Sequence, residues 1–226
     1  MRHPRTILTA LGLILAIAAC LSLTALVQAA SIPDIPINNS RSPDGTKDIV
    51  IEPMECDGIA HGVAKVREIS TGKILGTFDW SGFGVQPDAN AFTVLWRPDG
   101  KCFAITWERT RGFVTSAVCA SFKDHWVKVD LPDFEKQIYK MCREAGEKHV
   151  TIDEALGGKG HETAELWLPD RSLRLEVGYR GIDNVDKDGT EQLFWITLHI
   201  DDAKGTLPPK ALLKSVEFAP DSAYAD

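Results

Sequence analysis

Apolar residues recur at every second position through the middle of the chain. Phe92, Val94 and Trp96 follow this alternation, which stops at the turn formed by residues 98–100, where proline fixes φ and glycine accepts a positive φ. Two further runs rich in β-branched and aromatic residues begin at Phe103 and Phe113. The pattern predicts long antiparallel strands joined by short turns.

The same alternation predicts hairpins elsewhere in the chain, with strands at residues 48–51, 63–69, 74–80, 125–131, 164–168, 173–179, 192–200 and 213–218. One helix is expected near residues 133–147. Asp133 can cap it, Glu135 lies in its first turn, and apolar residues follow at helical spacing. We therefore predict a mainly β protein whose antiparallel hairpins form either an incomplete propeller-like arrangement or a curved sheet, with one helix packed against it.

The N-terminal segment has the pattern of an export signal. Basic residues precede an apolar run over residues 7–27, and small residues stand before Ala30. We predict a signal peptide at residues 1–29, a flexible leader at 30–41, and a single β-rich domain at 42–226 in the periplasm or outside the cell. An alternative is a lipoprotein, because residues 17–20 resemble a lipobox ending at Cys20. Apart from an uncleaved apolar anchor, lipidation at Cys20 is the one route to a membrane that the sequence offers.

The charge of the chain limits its partners. Its 25 Lys and Arg residues are outnumbered by 32 Asp and Glu residues, and removal of Arg2 and Arg5 would leave the remainder more acidic. An acidic surface without a basic stripe argues against binding to nucleic acid or to an anionic membrane.

Four cysteines would remain after cleavage, and in an exported protein an even number favours disulfide bonds, with three possible connectivities. A hairpin centred between Thr110 and Arg111 would place Cys102 opposite Cys119, close enough for a bridge. The remaining pair would be Cys56 and Cys142. A one-residue slip in register would abolish the first bridge. A zinc site is the alternative, but no CxxC pair supports it.

Pro-Asp turns recur at residues 43–44, 98–99, 169–170 and 220–221, each of the first three followed by an apolar strand. The segment from Leu95 to Ile105 resembles the turn-and-strand signature of TolB-like β-propeller blades. The chain as a whole is similar to a group of secreted bacterial proteins of unknown function that share the hairpin sequence at residues 71–76. This resemblance implies a propeller-like fold and no particular activity, although a propeller usually needs about four or more blades of roughly 40 to 50 residues.

Two segments are candidate binding sites. Asn184, Asp186 and Asp188 match the first half of a calcium loop, but Trp195 stands where a bidentate glutamate is needed, so an acidic hairpin loop is the alternative. Trp80 and Phe83 flank a Gly-containing stretch and would form a platform for a sugar or a partner if they are exposed. No other cofactor is indicated.

No catalytic motif stands out. His161 and Glu162 begin like a zinc-protease motif, but Glu165 occupies the position of the second histidine, and neither a GxSxG elbow nor a P-loop is present. We therefore predict a non-catalytic binding protein with a protein or glycan partner. The alternative is a periplasmic hydrolase that acts on a glycan or peptide through acidic residues from separate loops. A cleft with two acidic groups, one of raised pKa, would favour that alternative.

Overall fold

A computed structural model describes most of the chain between residues 34 and 220: residues 34–56, 59–81, 91–110, 113–145, 159–180, 191–202, 204 and 206–220. The predicted signal peptide lies outside these residues, as do Phe83, Asn184, Asp186 and Asp188. Of Cys56 and Trp80 only the backbone is described.

The described chain is mainly β, as the alternation predicted, and forms three four-stranded antiparallel sheets and one helix. The first sheet contains β1 (Ile35–Pro36), β2 (Lys47–Cys56), β3 (Ile59–Glu68) and β4 (Ile74–Ser81). The second sheet contains β5 (Phe92–Trp96), β6 (Cys102–Thr110), β7 (Phe113–Phe122) and β8 (His125–Val129). The helix α1 (Glu135–Ala145) precedes the third sheet, which contains β9 (Lys159–Trp167), β10 (Ser172–Arg180), β11 (Glu191–Asp201) and β12 (Lys210–Phe218).

In every sheet a Pro-Asp turn joins the first strand to the second. The amide that closes each turn donates to the carbonyl three positions earlier: Gly45 to Ser42 at 2.8 Å, Gly100 to Arg97 at 2.9 Å and Arg171 to Leu168 at 3.0 Å. Each aspartate carboxylate accepts the amide two residues later: Asp44 from Thr46 at 3.0 Å, Asp99 from Lys101 at 3.0 Å and Asp170 from Ser172 at 3.1 Å. The three Pro-Asp turns are unevenly spaced in the sequence, but they have the same hydrogen bonds and the same place in each sheet.

Consecutive sheets are joined by the same tryptophan contact. The indole N–H of Trp96 in the second sheet donates to the carbonyl of Ser40 in the first, at 2.8 Å. The indole N–H of Trp167 in the third sheet donates to the carbonyl of Leu95 in the second, at 2.9 Å. Each tryptophan directly precedes the four-residue turn of its own sheet, which begins at Arg97 or Leu168. Each acceptor carbonyl lies two residues before the turn of the preceding sheet, which begins at Ser42 or Arg97. The second sheet therefore contacts the first as the third contacts the second.

The second sheet is the middle layer of the molecule. Phe103 and Ile105 lie on one face, in a core shared with Ile49 and Ile51 of the first sheet. Alternate residues of the same strand, such as Ala104, face the other way, into a core shared with the third sheet and α1. Because successive side chains of a strand point to opposite faces, an apolar run in β6 serves both cores.

The outer faces of the first and third sheets are polar. On the first, Lys65 pairs with Asp34 at 3.1 Å and with Glu52 at 2.9 Å. On the third, the Arg174 guanidinium lies 4.3 Å from the centre of the Trp195 ring. Polar outer faces are typical of the terminal units of a repeat array. Within the described residues, the stack therefore begins and ends with a face suited to water.

Part of the predicted leader belongs to the first sheet. Residues Ile35–Pro36 pair with β2, Ile37 is 4% exposed, and the hydroxyl of Ser40 donates to the carbonyl of Ile49 at 3.0 Å. Residues 35–37 and Ser40 therefore take part in the first sheet and its core. The predicted start of the domain at residue 42 thus leaves out residues of the first sheet, since Ile37 is buried in its core.

The predicted register of the β6–β7 hairpin was wrong by one residue. Thr110 pairs with Phe113, the register shifts at a bulge between Glu108 and Thr110, and Cys119 lies opposite Phe103. Cys102 and Cys119 consequently face opposite sides of the second sheet, each in a different core, and both are free thiols. The predicted Cys102–Cys119 bridge is therefore not formed. Cys142 is also a free, buried thiol, and the side chain of Cys56, its predicted partner, is not described.

Candidate functional site

A groove of about 570 Å³ lies beside β7. Its floor comes from β7 and its walls from the end of β8, from the segment that leads into α1, and from β9. The lining residues are Thr115, Ser116, Ala117, Lys128, Val129, Asp130, Leu131, Pro132, Asp133, Phe134, Glu135 and Glu162.

The groove exists because β8 is shorter than β7. The strand β7 has ten residues and β8 has five. Pairing between them ends at Val118 and Val129, so residues 113–117 of β7 have no described strand on that side. An unpaired edge leaves backbone donors and acceptors available to another chain.

The direction of these backbone groups follows from the pairing on the other side of β7. The amide of Ser121 donates to the carbonyl of Lys101 at 2.9 Å, so Ser121 and every second residue from it direct their backbone groups towards β6. In an antiparallel strand the intervening residues point the other way. The N–H and C=O groups of Val114 and Ser116 therefore point towards the open edge.

The sequence after β8 explains why this strand stops. Pro132 has no N–H with which to continue the ladder. The carboxylate of Asp133 then accepts the amide of Glu135 at 3.1 Å and starts α1. The capping role expected for Asp133 is thereby confirmed. The chain turns away from β7 at this point and forms the opposite wall of the groove.

A chain of hydroxyl hydrogen bonds fixes the floor of the groove. The amide of Ala164 donates to the Thr106 hydroxyl at 3.2 Å, and the Thr106 and Ser116 hydroxyl oxygens are 2.7 Å apart. Ser116 in turn donates to the carbonyl of Glu162 at 2.9 Å. These bonds tie β9 to the middle of the second sheet, so that Ser116 is held in place by its side chain while its backbone faces the groove.

The groove is acidic. Asp130, Asp133 and Glu135 are exposed, the Glu162 side chain is buried with 2% of its surface exposed, and Lys128 is the one cation among the lining residues. The ammonium of Lys136 approaches Asp133 at 3.9 Å, but both side chains are largely exposed, and such a pair offsets little of the negative potential. The groove therefore favours a positively charged ligand.

The negative charge at the start of α1 also acts on Tyr179, a buried residue beneath the helix. Burial raises the pKa of Tyr179 beneath the helix, and the Glu135 carboxylate adds to this effect. The Tyr179 ring is 1% exposed and meets the Tyr139 ring edge-on at 6.1 Å. The Tyr179 ring therefore packs against α1 through Tyr139.

The residues singled out from sequence are not gathered in this groove. Trp80 lies near the end of β4, and the proposed calcium ligands and Phe83 are outside the described residues. His161 lies 3.4 Å from Glu176 on the outer face of the third sheet. Among the described residues, no group of three or more His, Cys, Asp or Glu side chains is arranged to hold a metal ion.

Glu165, a carboxyl group with a raised pKa, also lies away from the groove. Burial, and then the negative charge of Glu176, raise the pKa of Glu165, while His161 lowers it. These side chains belong to the outer face of the third sheet. The groove itself was missed in the sequence, although the proline that follows the short strand β8 was a signal for it.

Comparison with known proteins gives no match to a family model, to a curated protein or to a solved structure. Within the described part of the chain, no helix has the length and apolar character needed to cross a membrane.

Proposed function

We propose that this chain is an exported, non-catalytic binding protein that holds an extended polypeptide segment in the groove beside β7. The observation that carries the proposal is the edge of residues 113–117, which has no pairing strand among the described residues and borders a groove of about 570 Å³. In strand addition, main-chain hydrogen bonds supply affinity and the neighbouring side chains supply specificity.

The dimensions of the groove suit such a ligand. The five residues of β7 beyond the described pairing with β8 span roughly 17 Å at about 3.3 Å each, and Val114 and Ser116 among them direct their backbone groups to the open edge. The volume also lies within the range of roughly 300 to 1,000 Å³ found for binding pockets. The hydroxyl bonds of Ser116 keep the edge in place without using the backbone groups that would pair with the ligand.

The scaffold in this proposal is an open array of three propeller-type blades. The Pro-Asp turn between the first two strands of every sheet, and the repeated tryptophan contact, support a relation to TolB-like blades. The polar outer faces favour an array that ends at three sheets. Export rests on residues 1–29, and mass spectrometry of protein secreted by a bacterial host tests it: a chain starting at Ala30 supports it, and acylation at Cys20 would favour the lipoprotein.

The alternative of a hydrolase has less support. It requires two carboxyl groups in one cleft, one of them with a raised pKa. The acidic residues of the groove satisfy the first condition, but Glu165, whose pKa is raised, lies on the outer face of the third sheet.

The test uses a random pool of synthetic peptides of about ten residues, long enough to cover the open edge. Peptides retained on immobilised protein are resynthesised in two N-methylated forms, each blocking the amides on one edge of the extended peptide. We expect one form to lose binding by about tenfold or more, since it removes the pairing amides, while the other binds as the parent does. Equal binding of both forms, or peptide cleavage during incubation, would contradict the proposal.

A further inference from the structure

Side-chain alternation across the groove specifies the chemistry of its ligand. The Ser116 side chain points towards the third sheet, because its hydroxyl reaches the carbonyl of Glu162 at 2.9 Å. In an antiparallel pair, the residue opposite Ser116 directs its side chain to the same face. On that face it meets the wall formed by Glu162 and the start of α1.

The one cation among the lining residues, Lys128, lies on the opposite face of the groove. Lys128 pairs with Cys119, whose side chain lies in the core shared with the first sheet. Thr115 and Ala117 belong to this same face of β7 by alternation. Ligand residues on either side of the one opposite Ser116 would therefore point towards Lys128, and a positive charge on them would be repelled.

We infer that the groove selects an extended segment with a basic side chain opposite Ser116 and no basic residue at the two flanking positions. This inference rests on the proposed function of the same groove. Three exposed acidic residues, Asp130, Asp133 and Glu135, line this groove, and their charges attract a cation bound in it. The ligand is thus a strand with a single lysine or arginine among neutral β-forming residues.

The experiment compares two peptides of about ten residues with the same alternating threonine and valine sequence, which carry either lysine or glutamine at one central position. The affinity of each peptide is measured for the wild-type protein and for a groove variant that combines Asp130→Asn, Asp133→Asn and Glu135→Gln. Asparagine keeps a side-chain oxygen to cap α1, so this variant loses charge without losing the cap. A control variant, Asp124→Asn with Glu144→Gln and Glu217→Gln, removes the same charge from exposed sites outside the groove.

We expect the lysine peptide to bind wild type about tenfold more tightly than the glutamine peptide, as several partly screened charge pairs would give. The preference should disappear in the groove variant, persist in the control variant, and shrink when salt is raised from about 50 mM to about 500 mM.

The remaining outcomes separate the two proposals. Equal affinity for both peptides, with sensitivity to N-methylation retained, would overturn the inference and leave strand addition standing. Failure of every peptide to bind would overturn both. A lysine preference that survives in the groove variant would place the binding elsewhere and contradict the inference. Sedimentation that shows pairing of two copies through β7, in competition with peptide, would make a second copy the occupant and overturn it as well.

Discussion

The stacking of the first sheet on the second depends on a glycine. A methyl group added at Gly76 in β4 would lie 2.7 Å from Cβ of Trp126 in β8 and 2.9 Å from the Trp126 carbonyl oxygen. Carbon atoms in normal contact are about 3.5 to 4.0 Å apart, so Gly76→Ala would force the two strands apart by about 1 Å. One of the obstructing atoms belongs to the backbone, which a change of rotamer cannot relieve.

Overpacking of this kind costs about 1 to 3 kcal/mol of unfolding free energy. For a domain of this size, each kcal/mol corresponds to roughly 2 to 4 °C, so we expect Tm to fall by about 2 to 12 °C. Thermal unfolding followed by circular dichroism measures this loss. Thr77→Ser, at the exposed neighbouring position, should change the free energy by less than about 0.5 kcal/mol. If Gly76→Ala is as stable as this control, β4 and β8 do not pack as described.

Three further predictions concern the repeated unit and the thiols. Trp167→Phe removes the indole donor that joins the second and third sheets and should cost about 1 kcal/mol or more in denaturant unfolding, against a smaller loss for Trp195→Phe on the outer face. A hydrogen bond from Lys214 lowers the pKa of Asp170 from 3.8 to about 2, so the ionised carboxylate stabilises the fold above pH ~4, and this contribution is lost as the pH falls towards 2. The urea midpoint at each pH measures the loss, and the midpoint of Asp170→Asn should fall less than that of the wild type over this interval. Burial raises the pKa of Cys102 to about 12, so this thiol should resist alkylation at pH ~8 until the protein is unfolded, and peptide mapping that finds it alkylated in the native state would contradict its burial.

Local chemistry is what the sequence predicted well. The Pro-Asp turns at residues 43–44, 98–99 and 169–170, the alternation in β6 and β7, and the cap at Asp133 each depend on a few neighbouring residues, and each appears in the structure. The fourth Pro-Asp sequence, at residues 220–221, extends outside the described residues. The helix occupies Glu135–Ala145, within the predicted range. Turn and cap preferences act over four or five residues, which is why one sequence was sufficient to find them.

Features that depend on distant residues were missed. One bulge between Glu108 and Thr110 moved the register and separated Cys102 from Cys119, although nothing in the local pattern marks that bulge. The groove requires β7 to extend beyond β8 and β9 to cross the second sheet, as the bond from Ser116 to the carbonyl of Glu162 indicates. The equivalence of the tryptophans at positions 96 and 167 became visible when their acceptors were seen in the preceding sheet.

Amide hydrogen exchange along β7 tests the open edge most directly. In the free protein the amides of Thr115 and Ala117, which face β6, should exchange slowly, whereas those of Val114 and Ser116 should exchange quickly. Addition of the lysine peptide should slow Val114 and Ser116 and leave the other two unchanged. Slow exchange at Ser116 in the free protein, or no change on addition of peptide, would contradict an edge that is available for strand addition.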